Sequence, residues 1–135
     1  MGMIALLLVT HFVADGLLQS REMGKKKSSE PIWLAKHLAI QFIAFLLATV
    51  FFTRYALPFA LANAAIHGII DWNLWRGYKL YAYKAIKNNP KHPLLTGSKT
   101  EPWKYWEDHW FYTTILFDQM LHGLTLVYLA GVFHL

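Results

Sequence analysis

Three pairs of histidine and aspartate stand in the most apolar stretches of this sequence. The pairs are His11 with Asp15, His67 with Asp71, and Asp118 with His122. The members of each pair are four residues apart, so on an α-helix their side chains lie on one face. Imidazole nitrogens and carboxylate oxygens are the donors that bind Zn²⁺, and Mn²⁺ or Fe²⁺ accept the same set. The spacing therefore predicts a divalent metal cofactor, zinc first, with Mn or Fe as the alternatives.

Further polar side chains extend the faces that these pairs define. His37 and Gln41 repeat the four-residue spacing in another apolar stretch, and Asn63 lies one helical turn from His67. The candidate metal ligands are therefore His11, Asp15, His37, His67, Asp71, Asp118 and His122. The candidates for contacts to those ligands or to a substrate are Gln19, Gln41, Asn63 and Gln119.

Four apolar segments carry these residues. They cover about residues 3–19, 32–52, 57–75 and 110–135. A helix that crosses a bilayer needs roughly 20 apolar residues, with a range of about 17–25. Hydrophobic residues make up 56% of the chain. We expect an all-α polytopic membrane protein, a four-helix transmembrane bundle that forms one domain over residues 1–135.

The basic residues are concentrated in two connections, 20–31 and 76–109, whereas the turn between the second and third segments contains only Arg54. The positive-inside rule places both connections in the cytoplasm and both termini outside. We therefore expect a multi-pass protein of the bacterial inner membrane, with membrane lipids as its surroundings and no nucleic acid partner. Residues 78–86 mix tyrosines with lysines, which predicts an interfacial amphipathic segment between helices three and four.

Three aspartates inside apolar segments need compensation. Each costs roughly 2.5–3.5 kcal/mol at the centre of a spanning helix. The basic residues lie in the connections or at the ends of the segments, so no Lys or Arg is expected to neutralise the carboxylates. A divalent cation held by carboxylates and neutral imidazoles removes the cost and the mutual repulsion together. Two alternatives stay open: a proton or ion pathway, and buried hydrogen-bonded pairs that only hold the helices together.

The same motifs resemble those of a known family. The His-x-x-x-Asp motifs at residues 11–15 and 67–71, with Asp-Gln-Met-Leu-His at residues 118–122, are similar to those of small bacterial and phage membrane proteins catalogued as domain of unknown function 3307. The resemblance covers nearly the whole chain. The His-x-x-x-Asp pairs in transmembrane helices are also similar, more distantly, to a group of membrane-bound metal-dependent hydrolases. That second resemblance implies a metal-dependent hydrolytic activity.

The leading functional hypothesis is a metal-dependent hydrolase that acts on a lipid or lipid-linked phosphoester at the cytoplasmic side. A divalent metal lowers the pKa of water to about 7 and so supplies a nucleophile at neutral pH. A carboxylate that is not tied to metal could act as general base, and Asp15, Asp71 and Asp118 are the candidates for this catalytic role. The cationic residues that could hold an anionic headgroup are Arg21, Lys36 and Arg76.

Two other functions fit the same residues. The first is a metal-ion or proton transporter or channel subunit, which would need to form a homo-oligomer because four short helices make a small transporter. The second is a non-catalytic phage or envelope accessory protein in which a metal only stabilises the fold.

Overall fold

A computed structural model describes residues 2–99 and 102–135, which fold into helices joined by short turns and one long connection. The α-helices of these residues are α1 (Gly2–Phe12), α2 (Arg21–Lys26), α3 (Pro31–Thr49), α4 (Ala56–Asn88) and α5 (His109–Val132). A π-helical turn, Val13–Leu17, continues α1, and a 3₁₀ turn, Tyr105–Glu107, precedes α5. The described residues form no strand beyond one β-bridge between Leu95 and Trp103. The all-α prediction is therefore confirmed. Met1, and residues 100 and 101 of the predicted connection 76–109, lie outside the described part of the chain.

Local sequence signals explain where several helices begin. The Ser20 side chain accepts a hydrogen bond from the Met23 N–H at 3.2 Å and so caps α2. Pro31 occupies the first turn of α3, where its missing N–H costs no helical hydrogen bond. Asp108 caps α5 by accepting from the Trp110 N–H at 3.0 Å. The two capping residues, Ser20 and Asp108, thus determine where α2 and α5 begin.

The helices pack in a ring. α1 contacts α3 and α5, and α4 contacts the same two helices, so the four enclose a common centre, while α2 packs against α3. One part of this centre is an apolar cluster that includes Leu7, Phe45, Phe59 and Leu126. The histidines and aspartates occupy the other part, toward the ends of the helices that join the basic connections. The interior is therefore divided into an apolar end and a polar end.

The surface around the apolar segments exposes many hydrophobic side chains. Large ones point outward along the helices and in the turn after α3, among them Leu17, Phe51 and Leu116, each more than 70% exposed. Within the described residues, α3 and α5 are long and apolar enough to cross a membrane, and Gly2–Leu17 is a shorter apolar helix. These features support the coarser expectation of a membrane protein built from helices.

The helix bounds differ from the predicted segments in two places. Segment 57–75 does not end at Trp75, because α4 continues to Asn88 and reaches about 50 Å at 1.5 Å per residue. The amphipathic residues 78–86 are therefore part of α4 and not a separate element. The first segment is not a uniform α-helix, since the Leu18 N–H bonds to the Val13 carbonyl at 3.0 Å and closes a π-turn around Asp15.

Candidate metal centre

The ring of helices brings the three predicted pairs and His37 into one polar cluster. His11, His37, His67, Asp71, Asp118 and His122 are all buried, and the Asp15 side chain is 10% exposed. Two sets of these residues present donor atoms within 4.8 Å of one another. The first ligand group is Asp15, His37, His67 and Asp71, and the second ligand group is Asp71, Asp118 and His122.

The first ligand group has the dimensions of a tetrahedral site. The Nε2 atoms of His37 and His67 lie 2.9 Å apart, and they lie 3.2 and 3.1 Å from Asp71 Oδ2. Asp15 Oδ1 is 3.2 Å from His37 Nε2 and 3.9 Å from His67 Nε2. Four ligands around zinc, with bonds of about 2.1 Å, would be separated by roughly 3.4 Å. Two imidazoles and two carboxylates at these distances fit a zinc ion.

Asp71 belongs to both groups through different oxygens. Its Oδ2 faces His37 and His67, whereas its Oδ1 lies 3.9 Å from His122 Nε2. His122 Nε2 in turn lies 3.5 Å from Asp118 Oδ1. Although these groups are close together, neither oxygen of Asp71 nor His122 Nε2 makes a well-directed hydrogen bond to a described residue. The one close cation among the described residues is the Lys27 ammonium, 2.8 Å from Asp71 Oδ1. Buried donor atoms that converge without well-directed hydrogen bonds to one another are what a cation site requires, so the donor set fits a divalent metal.

His11 lies in a hydrogen-bond network beside the two groups and belongs to neither. Its Nε2 lies 3.2 Å from Gln119 Oε1, and the Gln119 amide donates to Asp15 Oδ2 at 3.0 Å and to Asp118 Oδ2 at 3.2 Å. The carbonyl of Gln119 requires the proton on Nε2 of His11, which leaves only its Nδ1 for a metal. The structure therefore places His11 beside the ligands, and its role as a ligand stays a prediction.

The expectation that no basic side chain reaches the carboxylates is wrong. Lys27, at the end of α2, extends into the cluster with its side chain 4% exposed. Its Nζ lies 2.8 Å from Asp71 Oδ1, 3.3 Å from Asp15 Oδ1 and 3.4 Å from His37 Nε2. Burial opposes the charged ammonium, but the neighbouring carboxylates of Asp71 and Asp15 outweigh it and raise the pKa of Lys27 above its usual value. A cation from a connection thus compensates charges that sit within apolar helices.

The remaining predicted polar residues lie at two levels. Gln41 and Asn63 are buried beyond the histidines, where both amide atoms of Gln41 and the Asn63 nitrogen lack hydrogen bonds to described residues. Gln19 lies at the opposite level, beside Gly24 of α2. Beyond Gln41 and Asn63 the interior is filled by the apolar cluster. The buried polar residue there among the described ones is Thr49, whose hydroxyl donates to the Phe45 carbonyl at 2.7 Å, so the ionisable side chains do not continue through the described bundle.

A cavity of about 710 Å³ adjoins the cluster on its Asp15 and Asp118 side. Lys27 and Gln119 also line it. Its cationic lining residues are Arg21, Lys25 and Lys79, and its aromatic ones are Trp75, Tyr78, Tyr83, Trp103, Tyr105 and Phe111. A cavity of this size holds a small organic molecule. The combination of cations and aromatic rings suits a ligand with an anionic and an apolar part.

The loop before α5 forms one wall of this cavity and is anchored by Asp108. The Asp108 Oδ2 accepts from the Tyr78 hydroxyl at 2.9 Å and from Trp103 Nε1 at 3.2 Å. Burial and this hydrogen bond raise the pKa of Tyr78 above its usual range. Trp103 is buried in this wall of the cavity, between Tyr81 of α4 and Asp108 of the loop.

Comparison with known proteins gives one match to a family. The family described as "Protein of unknown function (DUF3307)" matches residues 3–135, nearly the full length of the chain. The chain belongs to this family. No curated protein and no solved structure matches it.

Sequence reasoning missed two residues of this DUF3307 site. Trp75 donates from Nε1 to Asp118 Oδ1 at 3.2 Å. It lies four residues after Asp71 on the same helical face, so extending that face by one turn would have found it. Lys27 gave no such signal, because it is the last of three consecutive lysines.

Of the three residues predicted to hold an anionic headgroup, one lines the cavity and two do not. Arg21 lines the cavity. Lys36 instead lies over the Trp33 ring at 4.5 Å, and Arg76 lies over the Trp72 ring at 4.8 Å. Neither of these two residues lines the cavity, whereas Lys25 and Lys79 do.

Proposed function

We propose that this protein is a metal-dependent hydrolase embedded in the bacterial inner membrane, acting on a lipid or lipid-linked phosphoester at the cytoplasmic side. The observation that carries the proposal is the junction of two ligand groups at Asp71 beside a cavity with cationic and aromatic lining. The proposed membrane arrangement has four spanning helices, with both termini outside and the basic connections in the cytoplasm.

The substrate class follows from the cavity lining. Arg21 and Lys25 provide positive charge for a phosphate group, and Lys79 is held near them by hydrogen bonds to the Lys25 carbonyl and to Ser29 Oγ. Aromatic rings provide an apolar surface for the lipid part. In the hydrolysis of a phosphate monoester, an O–P bond forms to water, the P–O bond to the lipid breaks, and the lipid oxygen takes up a proton.

The three aspartates are suited to different roles. Asp71 is fully buried and does not line the cavity, so its proposed role is to bind metal through both oxygens. Asp118 lines the cavity and is oriented by Trp75 and Gln119. The proposed catalytic metal lies in the first ligand group and would supply an activated water. Asp118 belongs only to the second ligand group, so it is the proposed general base. Asp15 also lines the cavity, but it is the fourth member of the first ligand group.

The presence of Lys27 favours a second candidate, a non-catalytic protein in which buried polar pairs only hold the helices together. Its ammonium compensates Asp71 and Asp15 without a metal, so the cluster could serve only to hold the helices together. A transporter is less well supported, because the apolar cluster around Phe45 and Phe59 fills the bundle beyond the polar residues.

Metal content separates these candidates. Detergent-purified protein, stripped with chelator and reloaded with Zn²⁺, is analysed by mass spectrometry for wild type, Asp71→Asn and Asp118→Asn. Asn73→Ala is the matched control, since Asn73 is exposed on α4 and bonds only to the Ile69 carbonyl among described residues. We expect about one or two ions per chain in wild type and control. Asp71→Asn should lose metal, because Asp71 belongs to both ligand groups, whereas Asp118→Asn should retain the ion of the first ligand group.

Activity is then measured with dioctanoyl phosphatidic acid by the release of inorganic phosphate. Loss of a general base lowers a rate by about 10²–10⁴-fold, and we expect a decrease of this size in Asp118→Asn with its metal retained. A well-folded wild type that takes up no metal would overturn the hydrolase proposal and favour the buried polar pairs that only hold the helices together.

A further inference from the structure

Lys27 and a divalent metal require the same atoms. The ammonium contacts Asp71 Oδ1, Asp15 Oδ1 and His37 Nε2 at 2.8–3.4 Å. All three residues belong to the first ligand group. A protonated amine has no lone pair to offer a metal, so Lys27 cannot join the coordination in this position.

Charge adds to this conflict. A divalent ion bound by these residues would lie a few ångströms from the Lys27 nitrogen, in an interior where like charges are poorly screened. The carboxylate charge that attracts the metal is already partly neutralised by the lysine. Metal binding therefore requires the ammonium to leave Asp15 and Asp71.

The structure provides a place for the displaced side chain. The backbone of Lys27 is fixed at the end of α2, where its N–H bonds to the Met23 carbonyl at 2.9 Å. Its side chain borders the cavity that Arg21 and Lys25 also line. A flexible four-carbon stem can turn toward this cavity without moving the helix.

We propose that Lys27 is a built-in competitor of the metal: its ammonium occupies the carboxylate site in the metal-free protein and swings into the cavity when a divalent ion binds. This inference rests on the proposed metal centre and adds a regulatory step to it. In the cavity the ammonium joins the cationic residues that face an anionic ligand, so metal loading would also complete the anion site.

The competition is measured by titrating chelator-stripped protein with Zn²⁺ in an isothermal calorimeter. Lys27→Met removes the charge while keeping the stem. We expect it to bind Zn²⁺ about tenfold or more tightly than wild type, within the usual range of coupling between two ligands. Lys26→Met is the control, because Lys26 is partly exposed, pairs with Glu22 at 3.2 Å and does not line the cavity. Its affinity should equal that of wild type.

The outcomes separate this inference from the proposed function. Equal or weaker Zn²⁺ binding by Lys27→Met overturns the competition and leaves the metal centre in place. No binding by wild type, Lys27→Met or the control overturns both. If Lys27→Met binds Zn²⁺ more tightly than wild type and Lys26→Met does not, the result supports both the competition and the metal centre.

A second measurement uses wild type only, in case Lys27→Met leaves Asp71 uncompensated and fails to fold. Lysines are labelled with acetic anhydride in the presence of chelator or saturating Zn²⁺, and peptides are analysed by mass spectrometry. Lys27 should be protected without metal and become reactive with it, whereas Lys26 should react in both states. Protection of Lys27 in both states contradicts the displacement.

Discussion

The amide of Gln119 on α5 donates a 3.0 Å hydrogen bond to Asp15, 104 positions earlier in the π-turn after α1. The same side chain accepts from His11 and donates to Asp118, so one amide connects two of the three histidine–aspartate pairs. Because His11 and Asp118 are buried and Asp15 nearly so, the network fixes α1 against α5 beside the ligand groups. Gln119 thus positions the ligands without belonging to either group.

Replacing Gln119 with leucine should destabilise the protein with little loss of metal stoichiometry. The change removes the partner of His11 and one partner each of Asp15 and Asp118, and a buried polar group left unpaired costs about 1–3 kcal/mol. The free energy of unfolding is measured in detergent by denaturant titration. Met120→Leu is the control, because Met120 is exposed on the same helix. A stability equal to that of wild type would show that the network contributes nothing to the bundle.

The sequence was sufficient to predict the polar cluster, because a four-residue spacing of His and Asp on an apolar background is a one-dimensional signal. It also predicted the all-helical class, which depends on segment length and hydrophobicity. It could not predict that Lys27 enters the cluster. Lys25, Lys26 and Lys27 have the same chemistry, and only the end of α2 determines which one turns inward. The π-turn around Asp15 likewise has no residue signature.

The sequence could not predict the cavity for a different reason. One wall is the loop before α5, whose position depends on tertiary contacts of Trp103 and Asp108. Tryptophan near the end of an apolar segment predicts lipid anchoring just as well. Which side of the loop faces inward is therefore decided by the fold and not by composition.

Asp108→Ala should release that loop from α4. The carboxylate caps α5 and accepts from Tyr78 and Trp103, and loss of a cap alone costs about 0.5–2 kcal/mol. We expect a red shift in tryptophan fluorescence and faster proteolysis within residues 102–108. Glu107→Ala is the matched control, since Glu107 is exposed and pairs with Lys104 at 3.6 Å. Identical proteolysis of the two variants would contradict the anchoring role of Asp108.

Phe59→Ala should weaken the bundle without affecting the metal. Phe59 is fully buried, packs against Phe45 and Phe133 with ring centroids 6.0 Å away in both cases, and lies in the apolar cluster. Truncating a buried phenylalanine costs about 3–5 kcal/mol because it leaves a cavity. Denaturant titration in detergent measures this loss, and mass spectrometry should give the metal content of wild type.

The control for Phe59→Ala is Phe51→Ala, because Phe51 is 87% exposed and its truncation should change stability by no more than about 0.5 kcal/mol.

Liposomes that contain wild-type protein and a zinc-sensitive dye test whether the apolar cluster blocks passage of zinc through the bundle. Since the cluster fills the interior beyond Gln41 and Asn63, we expect no zinc flux in wild type. Flux through wild-type protein would mean that the polar residues continue as a pathway, and it would favour the transporter over the hydrolase.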